Sequence, residues 1–421
     1  MTVLYPSAAP ASTYTDYDCF IPHCYSIGAE QLAFSGLEGQ WDDRVINIPD
    51  SEVNQDYGHL NNEMWLLMSN GGWVEEGLTQ QCTVGPPPSG NSETCAQRGG
   101  SDSYLQFWGD ASSGAPGVAV AFHLIKTLSA DGNSHSYEIW DGSNCVNNNW
   151  PVYLDFNKVG TSTIQSHCRG DHFNVGIELY SPPGINSNEY TGGNWFHNFM
   201  QVYQNSVGSW TNATLDSTTY HTTPCGVSVN CAMDPCGSFA DGSCLNWSRD
   251  SDNEWSDNKP AGSADRGGRA VSHQAAPSRA GSGTHRVSPQ MASCERQHSV
   301  CNPAAFKGLP FTKAARPGTV LLTEQQVLKH FRLTGATVTL ARTAYGQMHA
   351  ADPALAASSV VSPHRVIWAI TQHFPRPVTI ADSNAPVGAP ATLKISAESF
   401  IIDAATGQVI DYCEGCAAVP K

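Results

Sequence analysis

The sequence lacks several features that mark common classes of protein. It has no apolar run of 18 residues, so nothing in it predicts a membrane-spanning helix. It has no GxSxG, HExxH, GxxxxGK[ST] or GxGxxG motif, which leaves serine hydrolysis, zinc hydrolysis and nucleotide cofactors without support. Residues 1–5 do not open a signal peptide, because they lack a basic start and an apolar core. We therefore expect a protein that needs no cofactor, binds no metal and does not act in a membrane.

Positive charge is scarce in the first part of the chain. Residues 1–260 carry a net charge of −22, whereas residues 261–421 carry +6. The acidic first part argues against nucleic acid as its partner. Two regions of opposite charge can dock on one another within one molecule, although two unrelated domains can also differ in charge by chance.

Cysteine, by contrast, is abundant. The chain has 14 cysteines, which fall mostly as close sequential pairs. An even and high count favours disulfides and an oxidising compartment, so we predict a secreted protein. Zinc is the weaker alternative, because the densest cluster, Cys225 to Cys244, has no CxxC spacing. The sequence does not determine which cysteines pair.

Short strand-forming runs separated by turn residues predict a mainly β protein. From about residue 41, runs of five to nine strand-forming residues alternate with Gly, Asn, Pro and Asp, as in an antiparallel β-sandwich of the concanavalin-like kind. We predict an N-terminal extension over 1–40, a sandwich over 41–215, a Cys-rich extension over 216–260, a flexible linker over 261–305 and a small α+β domain over 306–421.

Within the last domain the sequence predicts one capped helix and a closing hairpin. Thr323 and Gln326 form a capping-box pattern before an apolar face. Residues 398–411, with a turn at Gly407, resemble the closing hairpin of PepSY-type domains, and that resemblance implies a module that restrains a secreted peptidase. We expect Cys413 and Cys416 to form a small structural disulfide.

Two glutamates stand inside apolar, strand-like runs, where an isolated carboxylate is costly. Glu75 lies in Trp73-Val74-Glu75-Glu76-Gly77-Leu78, and Glu178 lies in Val175-Gly176-Ile177-Glu178-Leu179. With the intervening runs at residues 105–110 and 149–154, these segments resemble the catalytic sandwich of neprosin-type glutamic peptidases over residues 65–205. The resemblance implies a peptidase acting on a polypeptide substrate, with Glu75 and Glu178 as its catalytic residues.

A glutamate pair can hydrolyse peptides because one carboxyl stays protonated while the other is ionised, a state that favours acidic conditions. We expect Glu75 to be the base and Glu178 the acid, although the residues do not determine this order. Strand alternation turns Glu76 to the opposite face, where we expect it to be solvated. Tyr180, Trp108 and Gln106 are candidates for lining the substrate cleft, with ordinary packing as the alternative.

Two other functions remain open. Ten of the 11 tryptophans precede residue 261, and aromatic side chains on a β face stack on sugars, so a carbohydrate-binding or glycan-cleaving sandwich is one alternative. A non-catalytic secreted binding module is the other, and it would be favoured if Glu75 and Glu178 faced opposite sides of their sheet.

Overall fold

The computed structural model describes residues 23–42, 59–82, 96–97, 100, 102–113, 119–128, 134–141, 148–180, 198–204, 209–213, 220–221, 246–249, 254–258, 311–331, 337–381 and 392–419. The predicted linker over 261–305 lies outside these ranges, as does most of the predicted Cys-rich extension. Within them, no helix is both long and apolar enough to cross a membrane.

Strands dominate the described residues. In chain order they are β1 His23–Phe34, β2 Gly36–Asp42, β3 His59–Leu67, β4 Trp73–Cys82, β5 Asp102–Ala111, β6 Val120–Leu128, β7 Ser134–Trp140, β8 Trp150–Leu154, β9 Asn157–Ser162, β10 Gly170–Tyr180, β11 Asn198–Gln204, β12 Ser209–Asn212, β13 Tyr220–His221, β14 Asn246–Arg249, β15 Glu254–Asn258, β16 Thr337–Ala344, β17 Val366–Ala381, β18 Thr392–Asp403 and β19 Val409–Glu414. Helices α1 Glu324–Phe331 and α2 Met348–Ala351 lie in the C-terminal part, with a 3₁₀ turn at Tyr345–Gln347 before α2.

These strands form two antiparallel sheets, which confirms the predicted mainly β, sandwich-like fold. The first sheet has the order β13-β1-β10-β3-β4-β5-β6-β19-β18-β17-β16. The second has the order β14-β15-β11-β2-β7-β8-β9, with β12 also paired to β11. The segment predicted as an N-terminal extension contributes a strand to each sheet, since β1 pairs with β10 and β2 pairs with β7.

The core lies between the two sheets. Val74, Leu78 and Trp108 on the inner face of the first sheet belong to one buried cluster with Tyr137 and Ile139 of the second. Each large apolar side chain buried in this way contributes about 1.5–3 kcal/mol to folding. This cluster establishes which residues of β4 and β5 face inward, and hence that their neighbours in sequence face outward.

The C-terminal part continues the first sheet. Strand β19 pairs with β6 of the sandwich and with β18 of the predicted hairpin, in which Gly407 takes a positive φ of 78°. Helix α1 begins as predicted, with the Gln326 backbone N–H donating to Thr323 Oγ1 at 3.3 Å and the Thr323 N–H donating to Gln326 Oε1 at 2.8 Å. The predicted disulfide between Cys413 and Cys416 is also present.

A buried ion pair ties β6 to β19. His123 Nδ1 lies 3.0 Å from Asp411 Oδ1, and its Nε2 lies 3.9 Å from Asp110 Oδ1. Burial alone would lower the pKa of His123, but the carboxylates of Asp411 and Asp110 raise it to about 9. His123 is therefore a cation at neutral pH, held between two carboxylates at the seam between sandwich and C-terminal part.

The distal half of the β17–β18 hairpin, residues 374–381 and 392–396, is here named the arm. The β17–β18 register shifts between His373 and Val378, where Pro375 and Pro377 interrupt the donors of the ladder. Such an irregularity bends a strand. Beyond it the arm packs on the outer face of the first sheet, in one apolar cluster that joins Phe374, Leu393 and Ile395 to Trp65 and Trp73.

Candidate active site

Glu75 and Glu178 lie on the same face of the first sheet. The register pairs Glu75 with Trp65 of β3, and Glu178 with Asn61 of the same strand. Asn61 and Trp65 are four residues apart and so point to the same side. Since Val74 faces the core between the sheets, this shared side is the outer face of the first sheet.

A third glutamate stands between them. Glu63 on β3 lies two residues from Asn61 and two from Trp65, so it is the diagonal neighbour of both Glu178 and Glu75. Diagonal neighbours in a sheet are about 7–8 Å apart. All three glutamates have 0% relative exposure, which makes this diagonal line a buried carboxyl row.

The row has a clear order. Glu75 and Glu178 are two strands apart and four residues out of register, which places their Cα atoms roughly 16 Å apart at about 4.8 Å per strand and 3.3 Å per residue. Glu63 is therefore the carboxyl that lies between them. The sequence analysis missed Glu63, whose signal was its position between Asn61 and Trp65 in an alternating run.

Glycines make the space for these side chains. Glu63 pairs with Gly77 on one side and with Gly176 on the other. A Cβ on Gly77 would lie 2.5 Å from the Cβ of Glu63, and a Cβ on Gly109 would lie 2.4 Å from Glu75 Oε1. The carboxyl of Glu75 thus lies over Gly109 of β5.

The electrostatics of the row separate its members. Burial raises the pKa of Glu63 well above its usual value, and the charges of Glu75 and Glu178 raise it further. At Glu178, the side-chain amide of Asn61 donates a hydrogen bond to Oε2 at 3.1 Å. A donor of this kind favours the ionised carboxylate. The row thus combines a carboxyl whose pKa is raised, Glu63, with one that accepts an amide hydrogen bond, Glu178.

The other predicted cleft residues are divided between the two faces. Tyr180 is the last residue of β10, two positions after Glu178, and its side chain lies outside the described part. Gln106 and Trp108 alternate to the inner face of β5. There, Gln106 Nε2 donates to Tyr137 Oη at 3.4 Å, and Trp108 stacks on His123 with ring centroids 3.9 Å apart. The structure does not bring these two side chains together with the glutamates.

Glu76 is a correction to the sequence analysis. We expected a solvated side chain, but Glu76 has 0% exposure, because both faces of β4 are covered. Its pKa is raised well above the usual value by burial, which a backbone hydrogen bond at Glu138 opposes and the charges of Glu138 and Asp155 reinforce. Strand β4 is buried on both faces, so alternation along the strand did not place Glu76 in solvent.

Glu76→Gln should make the stability of the protein less dependent on pH. In the unfolded chain Glu76 loses its proton near its usual pKa of 4.5, whereas in the folded protein it keeps that proton to higher pH. The folded state therefore binds more protons above about pH 4.5, and the free energy of unfolding falls by up to about 1.4 kcal/mol per pH unit for each such group. Urea unfolding at pH values between 4.5 and 7 should show a shallower fall in the variant, whereas parallel curves would contradict the assignment.

The second sheet carries a polar site of its own. Glu38 of β2 and Glu138 of β7 are direct cross-strand partners on its outer face, and Ser136 Oγ donates to Glu38 Oε1 at 3.0 Å. Nearby on that face is an aromatic cluster in which Trp140 lies 5.5 Å from Tyr203 and 5.9 Å from Trp210 between ring centroids. Among the described residues, no group of three or more His, Cys, Asp or Glu side chains is arranged to hold a metal ion.

Comparisons with known proteins add little to this geometry. No family model matches the chain, and no curated protein matches it. A solved structure described as "The crystal structure of native glycosidic hydrolase" aligns with 45% of this chain and 78% of its own, at 12% identity and a TM-score of 0.18. A likeness at that TM-score carries no argument about fold or function, so the functional conclusion depends on the site.

Proposed function

We propose that this protein is a secreted hydrolase, a glutamic-type endopeptidase that uses Glu75 and Glu178 to activate water in acidic conditions. The observation that carries the proposal is that these two glutamates, 103 positions apart in sequence, lie buried on one face of one sheet. Burying a carboxyl carries a free-energy cost, and groups buried at such a cost cluster at functional sites. The neprosin-type resemblance supports the same residues, and the disulfide at Cys413 supports an oxidising compartment.

The chemistry needs a base and an acid within reach of one peptide bond, so the Glu75 carboxyl, which lies over Gly109 in this covered conformation, has to turn toward Glu178 when substrate binds. The base takes a proton from water, the water oxygen bonds to the carbonyl carbon, the C–N bond breaks, and the acid gives its proton to the leaving nitrogen. The amide of Asn61 supports Glu178 as the base, the reverse of the order expected from the sequence. Glu75 lies among Trp65 and Trp73, an apolar setting of the kind that favours a neutral acid.

Complete burial of Glu75 means that substrate has no access to it in this conformation. The arm packs on Trp65, the cross-strand partner of Glu75, and on Trp73, two residues before it. We therefore propose that the basic C-terminal part docks within the molecule on the acidic sandwich and restrains the peptidase, with the arm as the covering segment.

The test of the activity is digestion of a reduced, unfolded protein over a range of pH values, with the new termini identified by mass spectrometry. Internal cleavage that is fastest near pH 4.5 and insensitive to chelators and to serine-directed inhibitors is the expected result, since a carboxyl pair works in acid. Absence of cleavage by a preparation freed of the arm would reject the proposal.

Gly109→Ala tests the geometry around Glu75. The added methyl group would overlap Glu75 Oε1 and displace the carboxyl, and a shift of about 1 Å at a reacting group can lower the rate about 10²-fold. The matched control is Gly160→Ala, which crowds Trp108 in the core at 2.4 Å. The new methyl group of Gly109→Ala would also lie 3.0 Å from the backbone oxygen of Ala121, so we expect this variant to lower cleavage more than it lowers the melting temperature. Gly160→Ala should lower the melting temperature.

A glycan-directed function is the second candidate, and the outer face of the second sheet favours it. Glu38 and Glu138 lie directly opposite each other, which sets their Cβ atoms about 4.5–5.5 Å apart. Retaining glycosidases hold two carboxyls about 5–5.5 Å apart. Binding of oligosaccharides that is lost in Trp140→Ala and kept in Glu178→Gln would support this candidate, whereas peptide cleavage that is lost in Glu178→Gln and kept in Trp140→Ala would support the peptidase. Binding without cleavage of either substrate would indicate a non-catalytic module.

A further inference from the structure

The arm has one apolar face and one polar face. Cross-strand pairs join Val378 to Ile395 and Ile380 to Leu393, so these four side chains share one side of the ribbon. Leu393 and Ile395 are 3% and 1% exposed, whereas Lys394, which stands between them, is exposed to solvent. The other exposed polar residues of the arm are Arg376, Thr379 and Ser396. The apolar contacts of the arm are therefore made by every second residue of its strands.

Side chains, rather than a strand ladder, hold the arm on the first sheet. Strand β17 pairs with β16 only as far as His373, and β18 pairs with β19 only from Glu398 onward. Between these points, within the described residues, the two strands of the arm pair with one another. The arm meets the sandwich at the apolar cluster that includes Trp65 and Trp73. Lifting the arm therefore breaks no described strand pairing between it and the sandwich.

The surface beneath the arm is here named the apolar floor, and its members are Trp65, Leu67, Trp73, Ala111 and Val120. The strand register places the last four of these in one row across β3, β4, β5 and β6. Glu75 is two residues after Trp73 and directly opposite Trp65. Its carboxyl lies over Gly109, which is two residues before Ala111 on β5. The apolar floor therefore borders the carboxyl of Glu75.

The chemistry of the apolar floor determines what can take the place of the arm. A charged side chain placed on the floor would lose its hydration and find no ion-pair partner among the floor residues. A polypeptide that binds in extended form turns every second side chain to the same side. Leu393 and Ile395 of the arm have this spacing, and Lys394 between them points away from the floor. The arm thus presents to the floor the same pattern that an extended apolar segment of another chain would present.

We propose that the apolar floor binds the substrate and that the arm occupies the floor as a substrate mimic, an inference that rests on the proposed function. The substrate class is an extended stretch of polypeptide with large apolar side chains at alternate positions and polar side chains between them. Such stretches form the half-buried strands of folded proteins, so they become available when those proteins unfold. Substrate and arm compete for one surface, and a substrate that displaces the arm lies beside Glu75.

The test measures the binding of two synthetic peptides of equal composition to the full-length chain carrying Glu178→Gln, in which cleavage does not interfere. The alternating peptide repeats the order of residues 392–396, Thr-Leu-Lys-Ile-Ser, and the scrambled peptide places its Leu and Ile side by side. Calorimetric titration should give an affinity about tenfold higher for the alternating peptide, because only its two apolar side chains reach the floor together.

Two pairs of lysine substitutions, each added to that chain, test whether peptide and arm compete. Leu393→Lys with Ile395→Lys charges the apolar face of the arm and should open it. Thr379→Lys with Ser396→Lys is the matched control, because it adds the same charge to the exposed face. The first pair should raise the affinity for the alternating peptide about tenfold, since it removes the competitor, and the control pair should leave it unchanged. An opened chain that loses its β structure by circular dichroism is replaced by one in which Asn-Gly replaces residues 374–396.

A substitution in the floor locates the bound peptide. Val120→Ala in the opened chain should weaken binding of the alternating peptide about tenfold, because it removes apolar area from the floor. The matched control is Val159→Ala, which alters a buried valine in the core between the sheets and should leave the affinity unchanged.

The outcomes separate this inference from the proposed function. Equal affinity before and after the arm is opened, or equal affinity for the two peptides, would overturn the substrate mimic. Binding as expected, without cleavage of the alternating peptide by an opened chain that retains Glu178, would reject the peptidase and leave the floor as a polypeptide-binding surface. Cleavage of both peptides at the same rate by that chain would support the peptidase and reject the floor as the surface that selects its substrate.

Discussion

Glu178→Gln and Glu75→Gln should each reduce the cleavage of an unfolded protein at about pH 4.5 by roughly 10²–10⁴-fold, the range that a single acid or base contributes. Each replacement keeps the shape of the side chain and removes its ability to exchange a proton. Because both carboxyls serve the same bond, the double variant should be little slower than either single variant. The measurement is the initial rate of appearance of new amino termini.

Glu76→Gln is the control for this comparison, since it changes a buried glutamate on the same strand without touching the outer face. Near-equal rates for the wild type, the two single variants and the double variant would remove the support for a glutamate mechanism. A loss in one single variant only would instead mean that one carboxyl acts alone, and the missing partner would then have to be sought among the neighbours of the active one.

Removing the arm should raise the rate of cleavage by roughly 5–150-fold, the range of a coupling of 1–3 kcal/mol between two states. The change replaces residues 374–396 with Asn-Gly, a turn that joins His373 to its cross-strand partner Ala397. It takes away the apolar side chains that pack on Trp65 and Trp73 but leaves β19 paired with β6. Removal of all of residues 261–421 would be a poorer test, because it would also remove β19, the strand that pairs with β6.

The control for the arm is Thr379→Ala, an exposed position in the same segment that should leave the rate unchanged. Cleavage by the shortened protein at the wild-type rate, with β structure intact by circular dichroism, would show that the arm has no restraining role. A higher rate that disappears when Glu178→Gln is added would tie the gain to the proposed site rather than to a contaminating protease.

The sequence predicted the larger features of the fold because alternation and turn residues are local signals. The runs around Trp73–Leu78 and Phe173–Tyr180 became central strands, and the capping box at Thr323 formed as expected. The strands β1 and β2 were not anticipated, because residues 23–42 hold a single β-branched residue, Ile27, and so carry a weak local strand signal.

The site was harder to predict, because it depends on register. Which of Glu63, Glu75 and Glu178 are neighbours is determined by the pairing of β3 with β4 and β10, whose glutamates are 103 residues apart in sequence. The error at Glu76 has a related cause. Alternation indicates that the two faces of a strand differ. It does not show that the second sheet buries one face of β4 and the arm packs on the other.

The pairing of β19 with β6 has a consequence for any break in the chain between residues 261 and 305. Both fragments would keep their strands, and an edge strand with unpaired amides binds a complementary strand readily. The two pieces should then remain one non-covalent particle, and segments 1–260 and 306–421 made separately should assemble on mixing. A processed form of this protein would therefore migrate as two bands in a denaturing gel and as one species in a sizing column.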